Sequence, residues 1–299
     1  MRRLKKLIKI KTIMTPFKLT DETKITPCGV TLFRIELTAD CKWGKAGAKG
    51  GWIEKKHNLS DDAWVHDNAW VYGNARVYGD AWVYGNARVH DNAWVYGNAQ
   101  VYGNAQVYGD ARVYGDARVY GDAWVYGNAQ VYDNAWVYGD ARVYGDAWVY
   151  GDAWVYGDAW VYGDAWVYGV AWVYGNARVC GVARVCGVAR VYGDARVYGD
   201  ARVYGDAWVY GDAWVYGDAW VYGDAWEKSP LQIQGSKHFI NVCSKNLLRV
   251  GCKVYSFEYW NNNYQSIGKN NSYSDEEIRE YGMYIALAIS LYGLIKNQN

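Results

Sequence analysis

The side chains that could do chemistry in this chain are few and scattered. Of four histidines, His66 and His90 fall at positions that are tyrosine in nearly every other unit of a long tandem repeat. A general base needs a cleft to work in and a partner that orients it. The sequence supplies neither, so His66 and His90 are catalytic candidates by residue type only and read as variants of tyrosine. His238, Cys243 and Cys252 form a second loose set, the metal candidates, but they lack the paired-cysteine spacing of a zinc site. Aspartates recur at the end of most repeats, and carboxylates stacked ~4.8 Å apart would repel one another unless a cation intervened. The calcium-binding repeat, however, is a nine-residue Gly-Gly-x-Gly-x-Asp unit, and this one is different. No cofactor is expected.

Aromatic surface is what the chain has in quantity, with 18 Trp and 30 Tyr. The candidate binding surface comprises Trp136, Trp154, Trp172, Trp148, Trp166, Trp160, Trp208, Trp214 and Trp220, to which a protein or glycan surface could dock. Packing within the chain accounts for the same residues. Rings and guanidinium groups stacked at strand spacing gain aromatic and cation–π contacts from their own neighbours. A dedicated binding face should differ from the others, and in composition the three faces look alike.

These residues are positioned by one phrase, Ala-x-Val-Tyr-Gly-Asp/Asn, which runs from Ala63 to Trp226 without insertion or deletion. Valine occupies every sixth position from 65 to 221, which makes 27 repeats. Ala and Val, two apart, share one side of a strand, and x and Tyr share the other. Gly-Asp, Gly-Asn or Asp-Asn then supplies residues that tolerate a left-handed corner. Three units close a triangular coil, giving an all-β solenoid of about nine coils and ~43 Å. Positions 18 apart stack on a common face. The first face runs from Trp64 through Trp226, the second from Trp70 to Trp214, and the third from Arg76 to Trp220. Most changes among repeats, such as Trp/Arg, Tyr/His, Tyr/Cys and Asp/Val, are single-nucleotide neighbours. They read as drift after tandem duplication, with Ala and Val held by packing.

The net charge of +1 hides a division. Residues 1–62 carry 14 Lys/Arg against seven Asp/Glu, the repeat ten against 18, and residues 227–299 eight against six. A mildly acidic largest surface argues against nucleic acid. No window reaches the roughly 18 apolar residues of a membrane span. The basic opening lacks the apolar core of a signal peptide, so Met14 is expected to be the natural start, with residues 1–13 an upstream extension or basic tail. Six cysteines without framework spacing fit free thiols, and a cytoplasmic location is expected.

Residues 14–62 read as an N-terminal cap, with a strand over Val30–Leu37, a loop from Lys42 to Lys49, and Trp52, Ile53 and Leu59 packing on the first coil. Residues 227–299 read as a small α+β module. Its strands are expected over Leu231–Gln234, Phe239–Cys243 and Leu247–Phe257, and its helices over Glu258–Asn270 and Ser274–Lys296. Ser274 with Glu277 makes a capping box.

The period resembles the hexapeptide repeat of left-handed parallel β-helices, with an aliphatic residue inward and a small one two positions before it. Leu32-Phe33-Arg34-Ile35, Gly50-Gly51-Trp52-Ile53-Glu54 and Asn58-Leu59-Ser60 resemble the entrance of bacterial and bacteriophage hexapeptide-repeat proteins of the transferase kind. Gly235-Ser236-Lys237-His238, Gly251-Cys252-Lys253, Glu258-Tyr259-Trp260 and Glu276-Glu277-Ile278 resemble a small uncharacterised C-terminal module that accompanies such repeats. The resemblance implies a left-handed β-helix, a trimer, and an acyltransferase site between subunits, with a histidine and a projecting loop and with acetyl-coenzyme A as substrate. This chain departs from that pattern in having no projecting loop. The related zinc pattern needs three histidines where the repeat has two. Ice-binding β-helices use Thr-x-Thr rows, and no Thr occurs between Ala63 and Trp226. The expectation is therefore a non-enzymatic structural or interaction rod, phage or prophage encoded, with acyltransferase and carbohydrate-binding module as alternatives.

Overall fold

The computed structural model describes residues 15–292. The basic opening, including Met14, and the end of the last expected helix lie outside them. Strands β1 (Phe17–Ile25), β2 (Thr31–Leu37) and β3 (Lys49–Ile53) precede the repeat. The 27 repeat strands run from β4 (Trp64–Val65) to β30 (Trp220–Tyr222), nearly all two residues long, and β31 (Ala225–Trp226) closes the series. Strands three apart in sequence pair in parallel and form three long sheets of 12, ten and nine strands. The result is an all-β parallel solenoid of about ten turns.

Each hexad builds one side of a turn. Every repeat alanine from Ala63 to Ala219, and every valine at the six-residue spacing from Val65 to Val221, is fully buried, so the interior is a stack of methyl and isopropyl groups. The backbone is paired coil to coil. Trp136 donates to the Ala153 carbonyl at 2.9 Å, Tyr138 to Val155 at 3.0 Å, and corner Asn128 to Gly145 at 2.9 Å. The corners demand a left-handed backbone. Gly151 has φ 70°, and a Cβ there would meet the Gly169 backbone nitrogen and oxygen at 3.1 Å. Where aspartate takes the left-handed place, as at Asp91 (φ 58°), its carboxylate accepts the N–H of Gly109 in the next coil at 3.2 Å.

The solenoid begins upstream of Ala63. Trp52 pairs with Trp70 and Ile53 with Val71, and Leu59 bridges to Val77. Ile53 and Leu59 thus occupy the valine column and form the first coil instead of packing on it. The polar run Thr15–Thr26 contains β1, whose apolar alternation is confined to Phe17 and Leu19 before a polar stretch that ends at Ile25. That strand pairs antiparallel with β2, and β2 with β3, so two antiparallel strands continue the twelve-stranded face. The outermost strand carries Lys18, Asp21, Glu22 and Lys24, charges that discourage another chain from adding to the edge.

At the far end the period slips by one residue. Trp226 pairs with Val209, and Ala225 takes the place below Trp208. A one-residue slip exchanges the two faces of a strand, so Trp226 is buried and Ala225 exposed. Trp226 is therefore not on the outer face where its period would put it. Trp64, the first member of that face, is also buried, at 1% exposure, beneath Gly50 and the entrance loop.

Beyond the slip, β32 (Gln232–Gln234), β33 (Phe239–Ser244), β34 (Leu247–Val250) and β35 (Lys253–Ser256) form a four-stranded antiparallel sheet with α1 (Phe257–Asn270) and α2 (Asp275–Tyr292) packed on it. The single strand expected over Leu247–Phe257 is a hairpin broken at Gly251-Cys252, with Gly251 at φ 58°. Ser274 Oγ accepts from the Glu277 N–H, and the Glu277 carboxylate accepts from the Ser274 N–H, which completes the expected capping box. The helices close tightly at Gly282, where a Cβ would lie 2.7 Å from the Tyr264 ring.

Side chains of this segment replace the missing next coil. Asn241 accepts from the Trp220 N–H at 3.2 Å and donates to the Trp220 carbonyl at 2.7 Å. Gln232 likewise accepts from the Tyr216 N–H and donates to the Trp214 carbonyl, and Ser229 Oγ accepts from the Trp214 N–H. Asn241→Leu would leave a buried donor and acceptor unpaired, at roughly 1–3 kcal/mol for each lost partner. Amide hydrogen exchange of the last coil is expected to speed up in this variant while the central coils keep their protection. Unchanged exchange at Trp220 would refute this capping role.

Candidate interaction surface

The outer side of each hexad contributes two columns per face. In the tyrosine columns, rings 18 residues apart lie nearly parallel. Tyr84, Tyr102, Tyr120, Tyr138, Tyr156, Tyr174, Tyr192 and Tyr210 form an unbroken series of rings, with centroids 4.6–5.1 Å apart and interplanar angles of 7° or less. The other two series run from Tyr72 to Tyr162 and from Tyr78 to Tyr168. Cys180 and Cys186 interrupt them. Each offset aromatic contact contributes roughly 0.5–1.5 kcal/mol.

The second column of each face alternates indoles with guanidinium groups. Trp136, Trp154 and Trp172 stack at 5.0 and 5.2 Å, and Arg118 and Arg190 lie over the two ends of the trio at 4.9 and 4.8 Å. Arg190 also covers Trp208 at 4.8 Å. On a second face Trp160 is held between Arg142 and Arg178 at 5.1 and 5.0 Å, and Trp214 lies against Arg196 at 4.9 Å. On the third, Trp148 stacks on Trp166 at 5.2 Å, and Trp220 is held between Arg202 and Arg249 at 4.8 and 4.3 Å. The nine candidate tryptophans therefore do not converge. They are spread over three faces, and only Trp136, Trp154 and Trp172 form a continuous all-indole column. The ring planes are covered by axial neighbours, so what most of them offer to a partner is an edge.

Corner side chains form a ladder of their own, which is invisible in a composition count. Asn98 donates to Asp116 at 2.8 Å, Asn104 to Asp122 at 2.9 Å, and Asn134 to Asp152 at 3.0 Å. Wherever Asn precedes Asp by one coil, an amide replaces a like-charge contact. The signal was the Asp/Asn exchange at 18-residue spacing. Between the corner columns and the indole columns run open grooves. One of about 450 Å3 is lined by Asp116, Asn134, Asp152 and Val170 on one side and Arg118, Trp136, Trp154 and Trp172 on the other.

His90 lies between Tyr72 and Tyr108 at 4.8 and 5.0 Å, nearly parallel to both, with Nδ1 3.3 Å from Asp91. It serves as another ring of the series. His66 is wedged among Trp43, Trp64 and Trp82 at 6.1–6.3 Å, and burial holds its pKa below the usual histidine value against the pull of Asp67. The loop bearing Trp43 was not anticipated as part of this surface. Trp43 donates to the Asp62 carbonyl at 2.7 Å and meets Trp82 edge-on, while Lys42 pairs with Asp62 and Asp80.

The metal candidates separate. Cys243 is buried, its thiol 3.5 Å from the Leu247 carbonyl and 3.6 Å from the Tyr222 hydroxyl, and burial raises its pKa. His238 packs over Gly251 near Tyr273, and with exposed Cys252 it lines an apolar cavity of about 80 Å3 between the sheet and the two helices. Among the described residues, no three His, Cys, Asp or Glu side chains gather closely enough to hold a metal. No helix among them is long and apolar enough to cross a membrane.

Fold and surface together define a parallel β-solenoid repeat protein with stacked aromatic columns. The repeat matches the family described as YdcK beta solenoid repeat over residues 69–85, 81–97, 105–117, 111–127, 135–151, 141–157, 189–205, 195–211 and 201–217. The matched segments lie wholly within the hexads and leave the entrance and the C-terminal segment outside. No curated protein matches the chain.

Burial within the columns raises the pKa of tyrosines such as Tyr120, Tyr156 and Tyr138, the last to about 12 from an ordinary 10.0, with the phenolates of Tyr120 and Tyr156 adding to the effect there. At Tyr162 the hydrogen bond to Cys180 is the largest cause, followed by burial, and the value is again about 12. A group whose folded pKa is raised contributes stability that is fully present below its unfolded pKa and lost as pH rises through the folded value. The rod is expected to hold its stability up to about pH 10 and to lose it progressively as these tyrosines ionise. Phenolate absorbance followed alongside circular dichroism tests this. Ordinary ionisation of most tyrosines in a still-folded chain would contradict it.

Proposed function

We propose that the chain acts as a non-enzymatic structural and interaction rod, a stiff spacer that holds its two end segments at a fixed separation and offers its sides to a protein partner. The observation that carries this reading is that the ring planes on all three faces are engaged by axial neighbours. The aromatic columns therefore act first on the rod itself. Ten turns at ~4.8 Å per turn correspond to about 48 Å.

The alternatives draw less support. A carbohydrate platform needs a run of open ring planes for sugar rings to lie on, and most candidate indoles, Trp154 and Trp160 among them, are covered on both planes. The acyltransferase reading, with acetyl-coenzyme A as substrate, needs a histidine free to act as base. His90 is stacked within a tyrosine column, and His66 is packed among indoles. From Trp64 to Val221 no segment leaves the six-residue period to form a loop over a neighbouring subunit.

Two measurements test the proposal. Spin labels on exposed Cys28 and Cys252, with the other four cysteines replaced and the labelled chain diluted in excess unlabelled chain, are expected to give one narrow distance distribution. Insertion of three further hexads should lengthen it by ~4.8 Å. A broad distribution, or one indifferent to the insertion, would remove the spacer role. Calorimetry with acetyl-coenzyme A is expected to show no saturable binding, and saturable binding lost in His66→Ala or His90→Ala would reinstate the enzyme.

A further inference from the structure

The three faces share their columns of rings but not their corners. One corner column reads Asp116, Asn134, Asp152, Val170, Val188 and Asp206 along the axis, one coil apart. Val170 and Val188 are 47% and 45% exposed and lie one above the other. In the second column a single valine, Val182, stands between Asp164 and Asp200, and the third, with Asp140, Asp158, Asn176 and Asp194, has none. This is the asymmetry that a dedicated face requires and that the ring columns do not provide.

Charge is banded along the same stretch. Residues 133–164 hold six Asp against one Arg, residues 176–193 three Arg and no acid, and residues 206–224 four Asp and no Arg. The three arginines of the basic coil, Arg178, Arg184 and Arg190, fall one to each face. Among the described residues, no ion pair within 4.0 Å joins a repeat arginine to a carboxylate. Beside the Val170 corner, the groove of about 450 Å3 exposes the edges of Trp154 and Trp172.

We propose that two copies of the chain pair side by side and antiparallel across this corner, with a two-fold axis beside Val170. The proposal rests on the rod reading and names its partner as a second copy. A two-fold interface must be self-complementary under reversal, and the order Asp152, Val170, Val188 with Arg190 beside it meets that condition. Reversal about Val170 lays it on the partner's Val170. It brings Asp152 level with the partner's Val188 and Arg190, and it repeats the same pairing on the other side. The valines and indole edges form an apolar centre, and the carboxylate and guanidinium a charged rim, the usual division of a protein interface. Parallel alignment in register would instead set each charged band against its like. At the other two corners, reversal about Val182 would set Asp164 against the partner's Asp200, and reversal about Asn176 would set Asp158 against the partner's Asp194.

Sedimentation equilibrium of the full chain is expected to show a dimer that weakens with added salt, since the rim is screened and the centre is not. Asp152→Arg and Arg190→Asp should each weaken it roughly tenfold or more, because each sets like charges against one another. Mixing the two variants should restore a heterodimer, since both rim pairs are then again opposite in sign. In a chain lacking Cys28 and Cys252, Val170→Cys is expected to form a disulfide-linked dimer under mild oxidation, whereas Val182→Cys is not. A monomeric or trimeric native chain, a mixture no tighter than either variant alone, or equal cross-linking at both positions would overturn the pairing. A monomer would leave the spacer role intact, because that stands on the label distances.

Discussion

Parallel in-register pairing at an 18-residue period is the constraint from which the rest of the molecule follows. Coil-to-coil hydrogen bonds of 2.9–3.0 Å, such as Trp136 to Ala153 and Tyr138 to Val155, fix a spacing close to that at which two aromatic rings stack. Every residue is thereby set above its counterpart in the previous turn. Valine on valine fills the interior, and glycine on glycine leaves room at corners where a Cβ would meet backbone. Tyrosine on tyrosine gives columns in which a phenolate is costly.

The same constraint penalises like charges, and the chain copes with it locally. Guanidinium groups lie over indoles, as Arg142 does between Trp124 and Trp160, and several carboxylates take an amide donor from the coil before. Charge is nonetheless banded along the axis, acidic around Asp152 and basic around Arg184. The repeat thus carries an axial pattern in positions that leave its interior untouched. The matched beta solenoid repeat segments all lie within the hexads. What distinguishes one face from another lies in the departures at Val170, Val182 and Val188.

An open stack of this kind has two unfinished ends, and they are closed by different means. At the entrance, two antiparallel strands with a charged edge continue one face, and Trp43 and His66 cover another. At the exit, Asn241, Gln232 and Ser229 supply from side chains the donors and acceptors that a next coil would have supplied from backbone. The one-residue slip that turns Trp226 inward fills the end of the valine column with an indole.

Architecture was largely legible in the sequence because a strict period of six encodes both an alternation of sides and a corner, and each repeat confirms the last. The three faces, the inward Ala and Val, and the placing of His90 among tyrosines follow from counting alone. The ends were less legible. Ile53 and Leu59 keep the valine register with other residue types, the β1 strand alternates only at Phe17 and Leu19 before a polar stretch, and the slip at Trp226 breaks the count by which its side would be assigned. Ring orientation, the covering of indole planes, the separation of Cys243 from His238 and Cys252, and the stacking of Val170 beneath Val188 beside Arg190 were decided only by tertiary structure. The physical reason is that a period states which residues share a column. Contact, burial and charge along that column depend on what lies one coil away, 18 residues off in sequence.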